Sequence, residues 1–412
     1  MGIPSAQRVF PGLFVLYVTA SIPAVYAASS EFRGMVHIGA ATDHSRSDEL
    51  TSRLNKLPLG AEQPSARVAM RFDAVISDFA IHANADIDSH RTSLADLHET
   101  WLGWHPIPSG PWRVRARAGA FFPVSSFEVG YDQIGWGAER TVSGSAINSW
   151  IAEEIRILGA ELTTQWRGAL VGSPHEFTTR LGLFGGNDPA GTQIGWRGWH
   201  VGNRTTGLFQ NLRIPDLPVY SADGPFAKQT HTIQLFREID GRPDYYTSAG
   251  YAYDGRVELE ILHYDNRADP LIIKDGQYSW QTRFDHAAVR LHLDQAWMLQ
   301  AQVIRGKTVM GGHAIDAEFS TWYVLTSRQF NAGTATLRHD RFKVIDHDGL
   351  FNDSNAEDGY AWALPWAQPL SVSLLVLVEA QQVTSERPAR TWLQDSARQV
   401  EKSLIFEVRW AL

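Results

Sequence analysis

From residue 403 to residue 412 the chain alternates. Leu404, Phe406, Val408, Trp410 and Leu412 share one face, and Ser403, Ile405, Glu407, Arg409 and Ala411 share the other. A β-strand sends successive side chains to opposite sides, so this segment predicts a strand with one apolar and one mostly polar surface. The same period of two recurs along the chain. Val114, Ala116, Ala118 and Ala120 oppose Arg113, Arg115 and Arg117, and Leu158, Ala160 and Leu162 oppose Gly159, Glu161 and Thr163. Val257, Leu259 and Ile261 oppose Arg256, Glu258 and Glu260. A chain built this way must fold into sheet, and each strand has one dry face to cover.

Alternation alone suits a soluble sandwich as well as a membrane barrel. Loop parity separates them. Tight connections are expected near 77–78, 106–111, 168–174, 254–255, 294–296, 326–332 and 367–369. Longer ones fall between them at 43–64, 123–152, 186–204, 265–277, 306–315, 345–357 and 381–397. Short turns on one side and long loops on the other are the pattern of outer-membrane barrels. Asp254-Gly255 is the clearest hairpin signal, because both central residues of a type I′ turn need positive φ. Trp112 and Trp297 open predicted strands, while Trp166, Trp366 and Trp410 lie near strand ends, where aromatic girdles meet the membrane interface. The last strand runs to Leu412, and 32–41 is its expected partner in closing the barrel, since lipid cannot satisfy an open sheet edge.

The start of the chain reads as an export signal. Arg8 is the only charge before Glu31, the run Leu13-Phe14-Val15-Leu16-Tyr17-Val18 is apolar, and small residues lead to a cleavage position after Ala27. That apolar run is well short of the ~20 residues a spanning helix needs. The expected organisation is therefore a signal peptide over 1–27 and one barrel domain over 28–412, placed in the outer membrane of a Gram-negative bacterium. The fold class is all-β: an antiparallel transmembrane β-barrel of about 18 strands with a long loop able to fold inward. The count becomes 16 if the weakest segments, 205–214 and 231–239, are loop. The chain of 412 residues has no cysteine and a formal charge of −8. This excludes disulfides and thiolate metal sites, and it argues against nucleic acid as a partner.

Segments 112–122 (WRVRARAGAFF), 145–168 (SAINSWIAEEIRILGAELTTQWRG), 238–246 (EIDGRPDYY) and 262–270 (LHYDNRADP) resemble a porin-like family of outer-membrane proteins of Gram-negative bacteria. In scheme that family is similar to general and phosphate-selective porins, and the resemblance covers nearly the whole chain after the leader. It implies a barrel and a location more than it implies a substrate. General porins end in Phe, where this chain has Leu412.

Candidate site residues follow from the pattern. Arg113, Arg115 and Arg117 point into the lumen if their apolar neighbours meet lipid, and with Glu161 and Arg180 they are the expected pore lining. A row of guanidiniums favours anions, and it also suits pairing with lumen carboxylates. Ser145 can cap a short helix over 147–154. Glu153, Glu154 and Arg156 are the constriction-loop candidates, expected to face the arginine row and set a transverse field. The acidic loop with Asp346, Asp348, Asn352, Asp353 and Asp358 has a calcium-like composition but not an EF-hand spacing. The stretch 238–244 reads as a turn, because Gly241 and Pro243 break strand there. His339-Asp340 and 263–265 are His/Asp pairings suggestive of acid–base work, and no nucleophile or metalloprotease motif accompanies them. The expected function is a non-enzymatic, cofactor-free channel for small hydrophilic solutes with a mild preference for anions. Outer-membrane lipid and lipopolysaccharide are the expected surroundings, and a homo-oligomer remains open. The rivals are an outer-membrane or periplasmic enzyme acting on lipid or polysaccharide, and a structural barrel that binds a partner through its loops.

Overall fold

The computed structural model describes residues 28–43, 54, 56–57, 65–89, 95–129, 138–350 and 352–412. The predicted leader over 1–27 lies outside the described residues, as does most of the first long connection. In chain order the strands are β1 (Ala28–Asp43), β2 (Ser65–Ile76), β3 (Phe79–Asp88), β4 (Ala95–Trp104), β5 (Trp112–Phe121), β6 (Ile157–Arg167), β7 (His175–Gly185), β8 (Asn211–Arg213), β9 (Thr232–Gln234) and β10 (Asp244–Tyr253). They continue as β11 (Val257–Asp265), β12 (Ile273–Lys274), β13 (Gln277–Tyr278), β14 (Gln281–His292), β15 (Trp297–Met310), β16 (Ile315–Gln329), β17 (Thr334–Asp346), β18 (Glu357–Pro369), β19 (Leu374–Glu386) and β20 (Arg398–Ala411). Two helices, α1 (Ala146–Glu154) and α2 (Thr192–Trp196), interrupt them.

All but β8, β9, β12 and β13 join one closed antiparallel barrel of 16 strands. β20 returns to β1 in register from Met35↔Ala411 to Asp43↔Ser403, so both terminal edges are paired. Closure matters energetically, since every backbone N–H and C=O at membrane depth needs a partner within the wall. Of the two expected counts, about 18 and 16, the barrel has 16. Segments 205–214 and 231–239 supply only the short ribbon β8–β9, which lies off the wall. Their alternation is too brief to span, and their apolar residues Leu212, Ile214, Ile233 and Leu235 are buried inside.

The outer face follows the predicted parity. Leu158 and Leu162 on β6, Leu181 and Leu183 on β7, Ile261 on β11 and Leu404, Phe406 and Trp410 on β20 are exposed on the outside. The alternate residues, such as Glu161, Glu260, Glu407 and Arg409, are buried in the interior. The turn ends carry Trp104, Trp112, Trp297 and Trp410, all exposed, which forms the expected girdle on the short-turn side. The turn at Asp254-Gly255 has φ of 50° and 65°, as a type I′ turn requires. Among the described residues no helix is long and apolar enough to cross a membrane.

Candidate functional site

The site is the interior of the barrel, and it has two halves. The half nearer the short turns is a polar wall. Strand pairing sets Arg117 opposite Glu161 and Arg115 opposite Thr163 between β5 and β6, then Thr163 opposite Arg180 between β6 and β7. Arg117 holds Glu161 with two bonds, Nε to Oε1 at 2.9 Å and NH2 to Oε2 at 3.1 Å. Its guanidinium lies 3.8 Å from the centroid of the Phe121 ring, a cation–π contact that fixes the long side chain. Tyr246 reaches across β7 and donates its hydroxyl to Glu161. It passes where Gly182 has no side chain, and a Cβ there would stand 2.0 Å from Tyr246 Cε1. Arg180 donates to Glu260 Oε1 at 2.8 Å and to Ser248 Oγ at 3.2 Å.

Arg113 and Arg115 are different. Both face the lumen and are half-buried, and neither makes a hydrogen bond or an ion pair among the described residues. Two uncompensated guanidiniums therefore stand beside two neutralised ones. Their field is felt nearby: burial, and then the charges of Arg115, Arg117 and Arg113, hold His105 in the β4–β5 turn below the usual histidine range.

The half nearer the long loops is filled. The described parts of segment 122–156, residues 122–129 and 138–156, lie in the lumen. Gln302 on β15 donates to the Ser125 carbonyl at 2.6 Å, Arg338 on β17 to Glu128 at 2.7 Å, and Arg409 on β20 to the Ala138 carbonyl at 2.9 Å. The segment then forms α1, whose residues are all buried. Ser145 caps this helix by accepting from the Asn148 N–H at 3.3 Å, as its sequence position predicts. A second and larger segment, 186–243, packs above it. Leu208 N–H donates to the Leu97 carbonyl on β4 at 2.8 Å, Asn355 reaches the Gly195 carbonyl at 3.0 Å, and Thr282 on β14 bonds the Ala190 carbonyl at 2.5 Å. Between the two segments lies an aromatic core of Trp150, Trp196, Trp199 and Trp280 with Phe284 and Phe319 of the wall. Trp150 sits edge-on to Trp199, Phe284 and Phe319 at 5.2–5.7 Å. This is a plug held by side-chain packing of the kind found in globular interiors.

The constriction candidates lie inside this plug, which corrects the expectation that they face the arginine row. Glu153 pairs with Arg197, and His200 Nε2 lies 3.1 Å away. Burial opposes ionisation of Glu153, but Arg197 together with His200 and Arg204 outweighs it and holds the carboxyl well below the usual range. Glu154 accepts from Trp150 Nε1 and from the Gln193 N–H at 3.0 Å. Arg156 donates to the Thr206 carbonyl at 2.7 Å and stacks on Phe122 and Phe236. Their charges are used to join segment 122–156 to segment 186–243. Of the His/Asp pairings, His339 faces outward against Trp362 at 4.0 Å while Asp340 faces inward to Arg338. Neighbours on a strand cannot act on one substrate from opposite faces.

Sequence reasoning missed segment 186–243 as an inward element, treating its first part as an external loop. The available signal was its content: Trp196, Trp199, Val201, Leu217, Val219, Tyr220 and Phe226 are too apolar for a solvated loop.

No family model matches the chain, and no curated protein matches it in sequence. Solved structures do. An anion-selective porin from Comamonas acidovorans superposes with a TM-score of 0.54 at 10% identity, over 94% of this chain and 100% of that one. The outer-membrane channel DcaP of Acinetobacter baumannii gives 0.53 at 9% identity, over 93% of this chain and 97% of that one. OmpT, an outer-membrane protein of Vibrio cholerae, gives 0.53 at 9% identity, over 95% and 100%. The likeness is one of fold: this chain forms the closed barrel of outer-membrane porins.

Proposed function

We propose that this barrel is an outer-membrane channel for small hydrophilic solutes, mildly favouring anions, whose plug sets how much passes. The observation that carries the reading is the pair Arg113 and Arg115, which face the lumen half-exposed and without a carboxylate. Uncompensated guanidiniums in a water-accessible passage attract anions and slow cations. Glu161 and Glu260 serve to hold Arg117 and Arg180 against the wall, so the anion preference is weak. The reading is of a passive, non-enzymatic barrel. Its leader over 1–27 directs export and is removed, and its outer face meets lipid. Outward-facing Arg283, Arg305 and Lys343, on the loop-side ends of β14, β15 and β17, would lie at the level of lipopolysaccharide phosphates.

The buried plug favours a second reading, a sealed barrel that binds a partner through its loops. Planar-bilayer conductance of the purified chain in a salt gradient separates the two. Measurable conductance with a reversal potential favouring anions is expected, and Arg115→Glu should shift that potential toward cations. Unchanged selectivity in Arg115→Glu would remove the assigned role of the arginine row. No conductance, even after the plug segment is deleted, would leave the sealed barrel.

A further inference from the structure

The neck of segment 186–243 brings together carboxylates that the channel reading does not use. Asp188 lies just beyond β7, Glu238 and Asp240 stand at the returning end of the segment, and Asp244 opens β10. One carboxylate oxygen from each of Asp188, Glu238 and Asp240 lies within 4.8 Å of the others. Backbone donors shape the group. Asp188 Oδ2 accepts from the N–H groups of Ile239 at 2.5 Å and Asp240 at 3.1 Å. Glu238 accepts from Gly186 at 2.8 Å and Gly241 at 2.6 Å. Asp240 accepts from Arg242 N–H at 2.8 Å and from Asp269 N–H.

Buried carboxyl oxygens in the group and beside it remain unsatisfied. Asp188 is 0% exposed and its Oδ1 has no donor. Asp244 is 1% exposed and neither of its oxygens has a donor. A buried acceptor left without a partner costs about 1–3 kcal/mol, and more when charged. Local cations do not remove the deficit. Arg242 is shared between Asp269 at 2.6 Å and Asp240 at 3.7 Å, and the Lys274 ammonium bonds the Glu238 carbonyl at 3.5 Å.

We propose that Asp188, Glu238 and Asp240, beside the buried carboxyl of Asp244, form a binding site for a hard divalent cation of the calcium class, which clasps the two ends of the plug segment together. Only oxygen ligands are offered, and several are carboxylates, which is the preference of Ca2+. Ligands at about 2.4 Å from one ion stand at most about 4.8 Å apart, and one oxygen from each of Asp188, Glu238 and Asp240 falls within that limit. The ion would join the two ends of segment 186–243, so it bears on plug anchoring whether or not the lumen conducts.

Terbium luminescence tests this on the folded full chain in detergent. Trp280 is the sensitiser, since its backbone N–H donates to the Asp188 carbonyl at 2.8 Å. Expected is a saturable Tb3+ signal, displaced by Ca2+ but not by K+, with affinity at least about tenfold weaker in Glu238→Gln/Asp240→Asn. Glu238 is half-buried and the Asp240 side chain is buried, and heat-modifiable gel mobility verifies that the variant still folds. The thermal midpoint should rise with Ca2+ and fall with chelator in the native chain only. A missing Ca2+-displaceable signal, or one undiminished in a folded double variant, overturns the proposal. So does an Asp244→Asn variant that melts at or above the native midpoint in Ca2+, because a bound proton would then be the group that satisfies the cluster.

Discussion

At the residue scale, the interior assigns opposite fates to charges of the same type. Arg117 and Arg180 are neutralised by Glu161 and Glu260, whereas Arg113 and Arg115 are left to the lumen. Alternation in the sequence placed all of these side chains inside, but only the register of β5, β6, β7, β10 and β11 decided which arginine met which carboxylate. In the plug, burial raises Glu154 from its ordinary 4.5 up to about 7. The folded plug then keeps a proton that the unfolded segment releases near 4.5, so this contribution to stability is full below that value and lost as pH rises through about 7. His200 works the other way. Burial lowers it from 6.5 to about 4, and stability is lost as pH falls through that window because the unfolded chain takes up the proton first. Near-ultraviolet circular dichroism of the plug tryptophans should show a melting midpoint nearly level between about pH 4.5 and 6.5, where the two opposite slopes overlap, and Glu154→Gln should leave a slope that falls toward acid. A profile unaltered in Glu154→Gln would assign the opposing slope to another group.

At the scale of the element, strand length and parity explain the wall. β3 to β7, β10 and β11 have 9–11 residues, enough for a tilted strand to cross a bilayer. β14 to β20 have 12–15, and loop-side ends among them carry outward charge: Asp285, Arg305 and Lys343 lie on one cross-strand row, with Ser320 between the last two. The extra length therefore stands outside the apolar band. Ile261 lies midway along β11 on the lipid face, and His263 lies nearer its loop-side end on the same face. Ile261→Arg should cost about 2–4 kcal/mol in reversible folding into lipid vesicles, and His263→Arg about 0–1 kcal/mol. Equal costs would refute the assigned depth. The hairpin at Asp254-Gly255 and the cap at Ser145 were legible in sequence because each depends on local backbone geometry. The two weak segments counted as strands were not, since a few alternating residues look the same in a wall strand and in a ribbon such as β8–β9.

At the scale of the whole molecule, the barrel is a closed wall around a folded plug. Deleting 189–237 removes Trp196 and Trp199 and uncovers the face of α1 beneath them, while every wall strand remains. The expected outcome is a barrel that still resists unfolding below the boiling step of a gel shift and conducts several-fold more than the native chain. Conductance equal to the native value would show that segment 186–243 does not limit passage. The sequence by itself determined the strand period, the parity of turns and loops, the lipid-facing residues and the inward direction of Arg113, Arg115 and Arg117. Those properties are set by one strand and its immediate turn. Tertiary structure decided the count of 16, the occupant of the lumen and the partners of Glu153, Glu154 and Arg156. These depend on contacts between residues far apart in the chain, where an apolar loop finds an enclosed surface to bury against and a charge finds its counter-charge only after the barrel has closed.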